Sequence, residues 1–465
     1  MPEENNIKKL RTLKGAKLYG FSAGVLGQIL PITLISAYIF IFFTYAVGLN
    51  ALLVSIGTAL GVVVLAFFAP IFGYLVDKKR PGRLGKRKPF LIWSLPLMIF
   101  SLIIIWYSPL AQQFGEINWI ISIFLWVFLI TFYLAYALLR ATYLSMIPEQ
   151  SQVEDNRIKI GSLIGVFSIL ATVIGIFLPL IIQSRLITPD AIFYNPIDRQ
   201  FLIEALPILG WIFAIFIIIF TLLAYFSTNE DFHKETDKET TLNEDLTIKK
   251  VLKNIFRPFS DKNYYIFLFS MLISTIGIRL LVKNLTLFFT FVLNLKGNAF
   301  VLFILPLVTF AVLGFIFWSK RAHSAGIKKS FIDARWFTAI SLILTGILLI
   351  SMPNDILLWI ARVLIAGVLF GLVVGYILPN PAISELVDNS PKELIDKMDS
   401  NSLSGSYFGT YLFVLNIGHA LGDLILGVIL MGPNAENSLA IGIVFPIAGI
   451  LYFISNLILY KMDLK

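Results

Sequence analysis

The chain has no cysteine, which excludes disulfides and thiolate metal sites and leaves no trace of a redox compartment. Charged residues are scarce at 14%, where a soluble domain carries about a quarter. Only three histidines occur, and no His/Asp/Glu group has metal-ligand spacing. Neither a G-x-S-x-G elbow nor a phosphate-binding P-loop is present, so no cofactor, no metal and no enzymatic activity are expected. The first residues, MPEENNIKKLRTLKGAK, are charged and lack a short apolar core before a small-residue cleavage site. A cleaved signal peptide is therefore not expected. What fills the 465 residues is apolar side chain: 58% of them are hydrophobic, and the mean hydropathy is +0.85. These residues lie in runs long enough to cross a bilayer, which takes about 20 each. The pI near 9.4 then reflects basic loops facing anionic lipid, and nucleic acid is not an expected partner.

Apolar runs between charged or Pro/Gly-rich breaks predict twelve spans: 18–47, 51–76, 90–110, 118–147, 160–183, 203–227, 264–293, 299–318, 333–352, 356–383, 404–430 and 439–460. Lys and Arg divide unevenly between the two sets of loops. The termini and every second loop hold 30, counting five in 319–335, and the opposite loops hold Arg185, Arg199 and Lys296. That asymmetry predicts a multi-pass protein of the cytoplasmic (plasma) membrane with both termini in the cytoplasm. The longest polar segment, Ser227–Lys262, falls between spans six and seven. It divides the chain into an N-terminal bundle over 1–227, a cytoplasmic loop over 228–262 and a C-terminal bundle over 263–465. Within the loop, Leu246–Phe259 has apolar residues at near-helical spacing with Lys between, the pattern of a helix lying on the inner membrane surface.

Four cations fall inside spans, Arg140, Arg279, Lys283 and Arg362, and among the acids only Asp423 lies well inside one. Each such group costs a few kcal/mol at mid-bilayer, so it should face a partner or a wet cavity. Arg279 is seventeen residues from both Lys262 and Lys296, too deep to snorkel at about 1.5 Å per residue. Lys283 lies one turn further on the same face, with Asn284 beside it. Two like charges at that spacing repel, so they need an anion or a polar cavity. Arg140 lies seven residues before Pro148 and either snorkels to the inner headgroups or faces the interior. Arg362 and Asp423 lie at similar depth, which predicts an ion pair between them, structural or functional. Asn416, His419 and Asp423 make a polar stripe at i, i+3 and i+7, in which His419 and Asp423 either relay a proton or are held by ordinary hydrogen bonds.

The seventeen residues Gly73–Pro89, GYLVDKKRPGRLGKRKP, pack seven positive charges into one hinge between spans. Gly73 would let two helices approach closely, Asp77 follows one turn later within reach of Arg83, and Gly82 and Gly85 allow a tight reversal. Lys86, Arg87 and Lys88 lead into Pro89, which suits a first helical turn. The ordered spacing resembles the major facilitator superfamily, whose loop between its second and third helices carries this pattern. The second half echoes it: Gly314 and Gly326 are spaced as Gly73 and Gly85, Lys328–Lys329 overlay Arg87–Lys88, and Trp318 stands at the Asp77 place. The resemblance implies an all-α membrane protein, twelve transmembrane helices in two six-helix bundles, with Gly73–Pro89 as an inner gate latch in which Asp77 accepts from a helix N-terminus and Arg83 partners it.

Within that superfamily, KLYGFSAGVLGQ, PIFGYLVDKKRPGRLGKRKPFLI, LLRATYLSMIPE and GSYFGTYLFVLNIGHALG resemble the glycoside–pentoside–hexuronide cation symporters and their sucrose-transporter branch. The positions where melibiose-type members carry Na⁺-binding carboxylates read Leu65 and Ala69 here. The first-span carboxylate falls near Gln28, the fourth-span acid at Arg140 and the eleventh-span Lys near Asn416. Hard cations need several oxygen ligands, so the resemblance does not extend to Na⁺ coupling. The sucrose-type branch has Arg at the Arg140 place and couples to H⁺, although Ser145 stands near its Asp. The expected function is secondary active transport of a sugar or glycoside by alternating access, H⁺-coupled through His419 or Asp423, or uncoupled. Substrate would meet Arg140, Arg279, Lys283, Asn284, Asn416 and Gln28, with Tyr38, Phe40, Tyr136 and Tyr143 available to stack on a ring. An organic-anion, sugar-acid or phosphate carrier is the alternative within transport, and a non-transporting receptor or scaffold the alternative outside it. The protein is expected to act as a monomer.

Overall fold

The computed structural model describes residues 11–79, 82–183, 196–228, 230, 256–295, 297–391 and 400–462. Twelve helical spans follow one another: α1 (Gly15–Val47), α2 (Ala51–Lys78), α3 (Lys88–Ile104), α4 (Trp119–Gln150), α5 (Glu154–Gln183), α6 (Pro196–Ser227), α7 (Lys262–Val292), α8 (297–325), α9 (Ile327–Leu349), α10 (Asn354–Asp388), α11 (Ser400–Ile429) and α12 (Ser438–Tyr460). Ten are long and apolar enough to cross a bilayer, and shorter apolar helices cover Lys88–Ile104 and Lys159–Thr172. The order and number agree with the hydropathy reading. The expected surface helix at Leu246–Phe259 lies outside the described residues except for its last turn.

Polar caps start several spans where the chain re-enters the apolar layer. Asn50 Oδ1 accepts from Leu52 N at 3.0 Å, Asn118 Oδ1 from Ile120 N at 3.1 Å, and Asp261 Oδ1 from Asn263 N at 3.0 Å. The far ends of α1 and α7 close in the same unusual way. Phe42–Val47 (FFTYAV) and Phe288–Val292 (FFTFV) are π-helical turns. Each is followed by a left-handed residue six positions after its first Phe, Gly48 at φ 91° and Asn294 at φ 52°. The repeat Phe-Phe-Thr is thus a structural repeat of the two halves.

Packing repeats with it. In the first half α1 lies against α5 and α6, α2 against α4, and α3 against α4 and α6. In the second, α7 lies against α11 and α12, α8 against α10, and α9 against α10 and α12. The bundles meet mainly where α2 runs along α11. At the end remote from Gly73–Pro89 they are closed. A Cβ on Gly427 of α11 would collide with Ser55 Cβ of α2, and the Tyr45 hydroxyl donates to Ala435 O. One apolar core joins the first bundle to this end of the second. A separate core, with Tyr264, Phe267, Trp318, Phe331 and Tyr407, holds the second bundle together at the motif end. The halves share one core at the far end and keep separate cores at the motif end, with Phe67 of α2 still touching Phe413 of α11 midway.

Candidate functional site

Between the bundles lies a cavity of two lobes. The first, about 600 Å³, has walls from α1, α2, α4, α7 and α11, and the second, about 480 Å³, lies among α7, α9, α10, α11 and α12. Arg140, Leu412, Leu415 and His419 belong to both walls, so the lobes lie side by side. Gly73, Leu144 and Gly409 carry the first lobe toward the motif end.

At its inner end sits the charge cluster that the sequence placed in hydrocarbon. Arg279 grips Asp423 with both arms, Nε to Oδ1 at 2.6 Å and one Nη to Oδ2 at 2.9 Å. Lys283 Nζ lies 3.0 Å from the same Oδ1 and donates to Thr58 Oγ1 at 3.0 Å, which ties the C-terminal bundle to α2. One carboxylate thus answers the i, i+4 repulsion, and the bidentate fork fixes its orientation. All three groups are buried. The expected Arg362–Asp423 pair does not form. Arg362 is exposed with its guanidinium 5.3 Å from the Phe303 ring, because its part of α10 packs on α8 and α9 and not on α11.

Of the other expected contact residues, the structure gathers Arg140, Tyr136, Asn416 and His419 in the first-lobe wall with Arg279. His419 Nδ1 is buried without a hydrogen-bond partner among the described residues. Gln28 is buried outside both lobes. Ile29, Ile32 and Ser36 line the first lobe from α1, while Gln28, though a helical turn before Ile32, is buried and belongs to neither wall. Asn284 donates to Ile441 O at 2.9 Å and joins α7 to the start of α12, so it is a packing residue. Tyr143 stacks on Phe21 and donates to Phe21 O at 2.7 Å, and Tyr38 and Phe40 are buried away from the lobes. None of these three aromatics offers a sugar platform. Leu65 and Ala69 line the first lobe, and no carboxylate belongs to its wall among the described residues.

Sequence reasoning missed Arg335, taken as a loop charge and found buried inside the second bundle, and also Tyr133 and Ser36 in the first-lobe wall. Arg335 follows Lys328–Lys329 and Asp333 closely, and only the apolar run after it signals a span.

The motif loop is held by Glu230, just beyond α6. Its carboxylate accepts from Arg87 N at 3.1 and 3.0 Å and from Lys88 N at 3.4 Å, at the N-terminus of α3. Gly82 and Gly85 exchange backbone hydrogen bonds of 3.1 and 3.0 Å, and Gly85 has φ 91°. Pro89 opens α3, Lys86 is half-buried, and Lys88 Nζ lies 4.9 Å from the Tyr225 ring. Arg83 is exposed, which gives it no latch partner among the described residues, and the Asp77 side chain lies outside them. Gly73 also departs from expectation: a Cβ there meets nothing within 4 Å, since it faces the cavity and not a helix. Lys79, over Trp93 at 4.3 Å and Phe90 at 4.8 Å, has its ammonium pushed below the usual lysine range by burial, with Glu230 opposing.

Two repeated six-helix bundles around a charged cleft define a membrane transport protein. Residues 20–432 match the family described as MFS/sugar transport protein, and the chain belongs to that family. An uncharacterized symporter of Synechocystis sp., sll1374, is 25% identical over 176 residues, 37% of this chain and 31% of that protein. The match thus spans about a third of that relative. Among solved structures, a mutant of the nucleoside transporter NupG superposes with a TM-score of 0.64 at 12% identity, covering 96% of this chain and 100% of that one. A D-xylose–proton symporter gives 0.61 at 13% identity over 97% and 96%. At these identities the likeness is one of fold.

Proposed function

We propose that the protein carries a sugar or glycoside across the cytoplasmic membrane by alternating access, with both termini and the Gly73–Pro89 loop in the cytoplasm and H⁺ as the coupling ion. The observation that carries this reading is the first lobe, a space of about 600 Å³ between the halves whose wall combines Tyr136, Arg140, Asn416 and His419. Such a wall offers a ring face and convergent donors and acceptors to a polyol. Closure at the far end and separate cores at the motif end support an inward-facing arrangement.

His419 is the coupling residue in this reading, and Asp423 is its fixed neighbour. Asp423 is held by two cations, whereas His419 Nδ1 is buried without a partner among the described residues. Among the described residues, Arg140 and Arg279 in this wall and Lys283 beside Arg279 have one carboxylate to balance them, so an imidazolium there needs an acceptor. A solute oxygen supplies it, and proton and solute then bind together. Na⁺ coupling would need oxygen ligands that Leu65 and Ala69 do not provide.

The test is reconstitution into proteoliposomes with an internal pH dye. Inward sugar flux should acidify the lumen, and His419→Gln should abolish the acidification while leaving sugar counterflow. No acidification with any sugar that the wild type moves would discard H⁺ coupling. No counterflow of any neutral sugar would discard the sugar reading.

A further inference from the structure

Arg335 sits on α9 in the wall of the second lobe and is buried. One Nη donates to Ser270 Oγ at 2.5 Å and Ser455 Oγ at 2.8 Å, and the other to Met271 Sδ at 2.7 Å and Ser274 Oγ at 3.2 Å. The two serines face each other across α7 and α12. Ser270 Oγ gives its proton to Ser455 O at 2.8 Å, and Ser455 Oγ gives its own to Ser270 O at 2.9 Å. Both lone-pair faces are thereby turned to the guanidinium, and Phe331 lies against it at 4.4 Å. The charge is carefully positioned, yet every partner is neutral. No carboxylate faces it, and its Nε–H has no acceptor, among the described residues.

A buried cation with only neutral acceptors keeps its full charge in an apolar bundle, which is costly unless an anion joins it. Asp423 is not available, since Arg279 and Lys283 hold it. Among the described residues, Arg140, Arg279 and Arg335 line the two lobes, Lys283 lies beside Arg279, and Asp423 is the one acid paired with any of these four. The second lobe also brings Thr275, Tyr411, Tyr452 and His419 to the same space. Hydroxyl groups beside a guanidinium are the setting for an oxyanion, and with the four Nη–H spent on the cradle the Nε–H is the charged donor left to receive it.

We propose that the second lobe is an anion site in which Arg335 receives a carboxylate or phosphate group. The group comes either from the carried solute, such as a sugar acid or sugar phosphate, or from a free inorganic ion. The site itself stands apart from the transport reading; only the identity of its occupant with the carried solute rests on it.

Gly375 allows a test that leaves Arg335 in place. It lines the second lobe, and a Cβ there meets nothing within 4 Å, so Gly375→Leu puts bulk into the lobe and leaves Arg335 and its serines unchanged in sequence. Titration calorimetry on the purified full chain uses potassium glucuronate and potassium phosphate at constant ionic strength, with glucose as the neutral control. Saturable binding of at least one anion is expected, about tenfold or more weaker in Arg335→Gln and in Gly375→Leu. No saturable binding of either anion to the wild type overturns the proposal. So does undiminished binding in a Gly375→Leu protein that unfolds at the wild-type temperature. Glucuronate counterflow in proteoliposomes then separates the sources. Exchange that is lost with Arg335→Gln identifies the occupant as the solute, and binding without exchange identifies it as a resident ion.

Discussion

Asp423 carries more of this protein than any other side chain, because two cations that would repel each other are held by one carboxylate. Asp423→Asn keeps the shape and removes the charge, which leaves Arg279 and Lys283 buried and unpaired. The expected cost is roughly 3–5 kcal/mol, the range for breaking a buried pair by removing one partner. Adding Arg279→Gln to it should recover part of the loss, since one unpaired charge then replaces two. Thermal unfolding of the single and double variants in detergent measures both effects, and a double variant no more stable than Asp423→Asn would contradict the charge argument. That these residues matter was legible in the sequence, because charge inside a run of apolar residues stands out. Their pairing was not. Depth along a span fixes one coordinate, whereas the partner depends on which helices are neighbours, and Arg362 at the right depth faces α8 and α9. Arg335 was invisible for the opposite reason, as it follows a basic loop so closely that it counted as part of it.

At the scale of elements, the Gly73–Pro89 loop works as a clasp on the N-terminus of α3. Gly85 holds φ 91°, and a Cβ there would collide with Glu230 Oε2. Gly85→Ala should therefore cost about 1–2 kcal/mol in backbone strain, and more because Glu230 must leave Arg87 N and Lys88 N uncapped. Glu230→Ala removes the obstacle as well as the cap, so the double variant should be less destabilised than the sum of the singles by about 1 kcal/mol. Strict additivity in unfolding experiments would show that carboxylate and loop do not act together. The echo of this loop was partly legible. Gly326 shares the left-handed φ at 87°, while Gly314 does what was expected of Gly73, its missing Cβ admitting the backbone of Phe370. Trp318, at the Asp77 place, donates from Nε1 to Phe370 O at 2.9 Å and pins α8 to α10. The clearest internal repeat, Phe42-Phe43-Thr44 against Phe288-Phe289-Thr290, went unread. Three apolar or hydroxyl residues in a chain this hydrophobic carry no compositional signal until both appear as π-helical turns.

For the whole molecule, what matters is that the bundles share a core at one end and have separate cores at the other. Gly427 against Ser55 is a tight point of that closure, with Ala51 O also only 3.2 Å from a Cβ on Gly427. Opening the far end requires α2 and α11 to part here, so a side chain at 427 acts as a wedge. Gly427→Leu should cost the closed end about 1–3 kcal/mol of packing and shift the balance toward far-end opening roughly five- to hundredfold. The absence of native cysteine makes this measurable, since one cysteine introduced at Asn416 in the first-lobe wall is the sole thiol. In oriented vesicles, a membrane-impermeant maleimide should react with Asn416→Cys faster from the side that bears Gly73–Pro89. With Gly427→Leu added, the far-side rate should rise and the motif-side rate should fall, because one space cannot open at both ends. The excess of Lys and Arg on one set of loops further predicts that the faster side is the cytoplasmic one, even with Arg335 moved from loop to span. Rates from both sides that rise together would mean that the wedge loosens the bundles generally and that the cleft does not alternate.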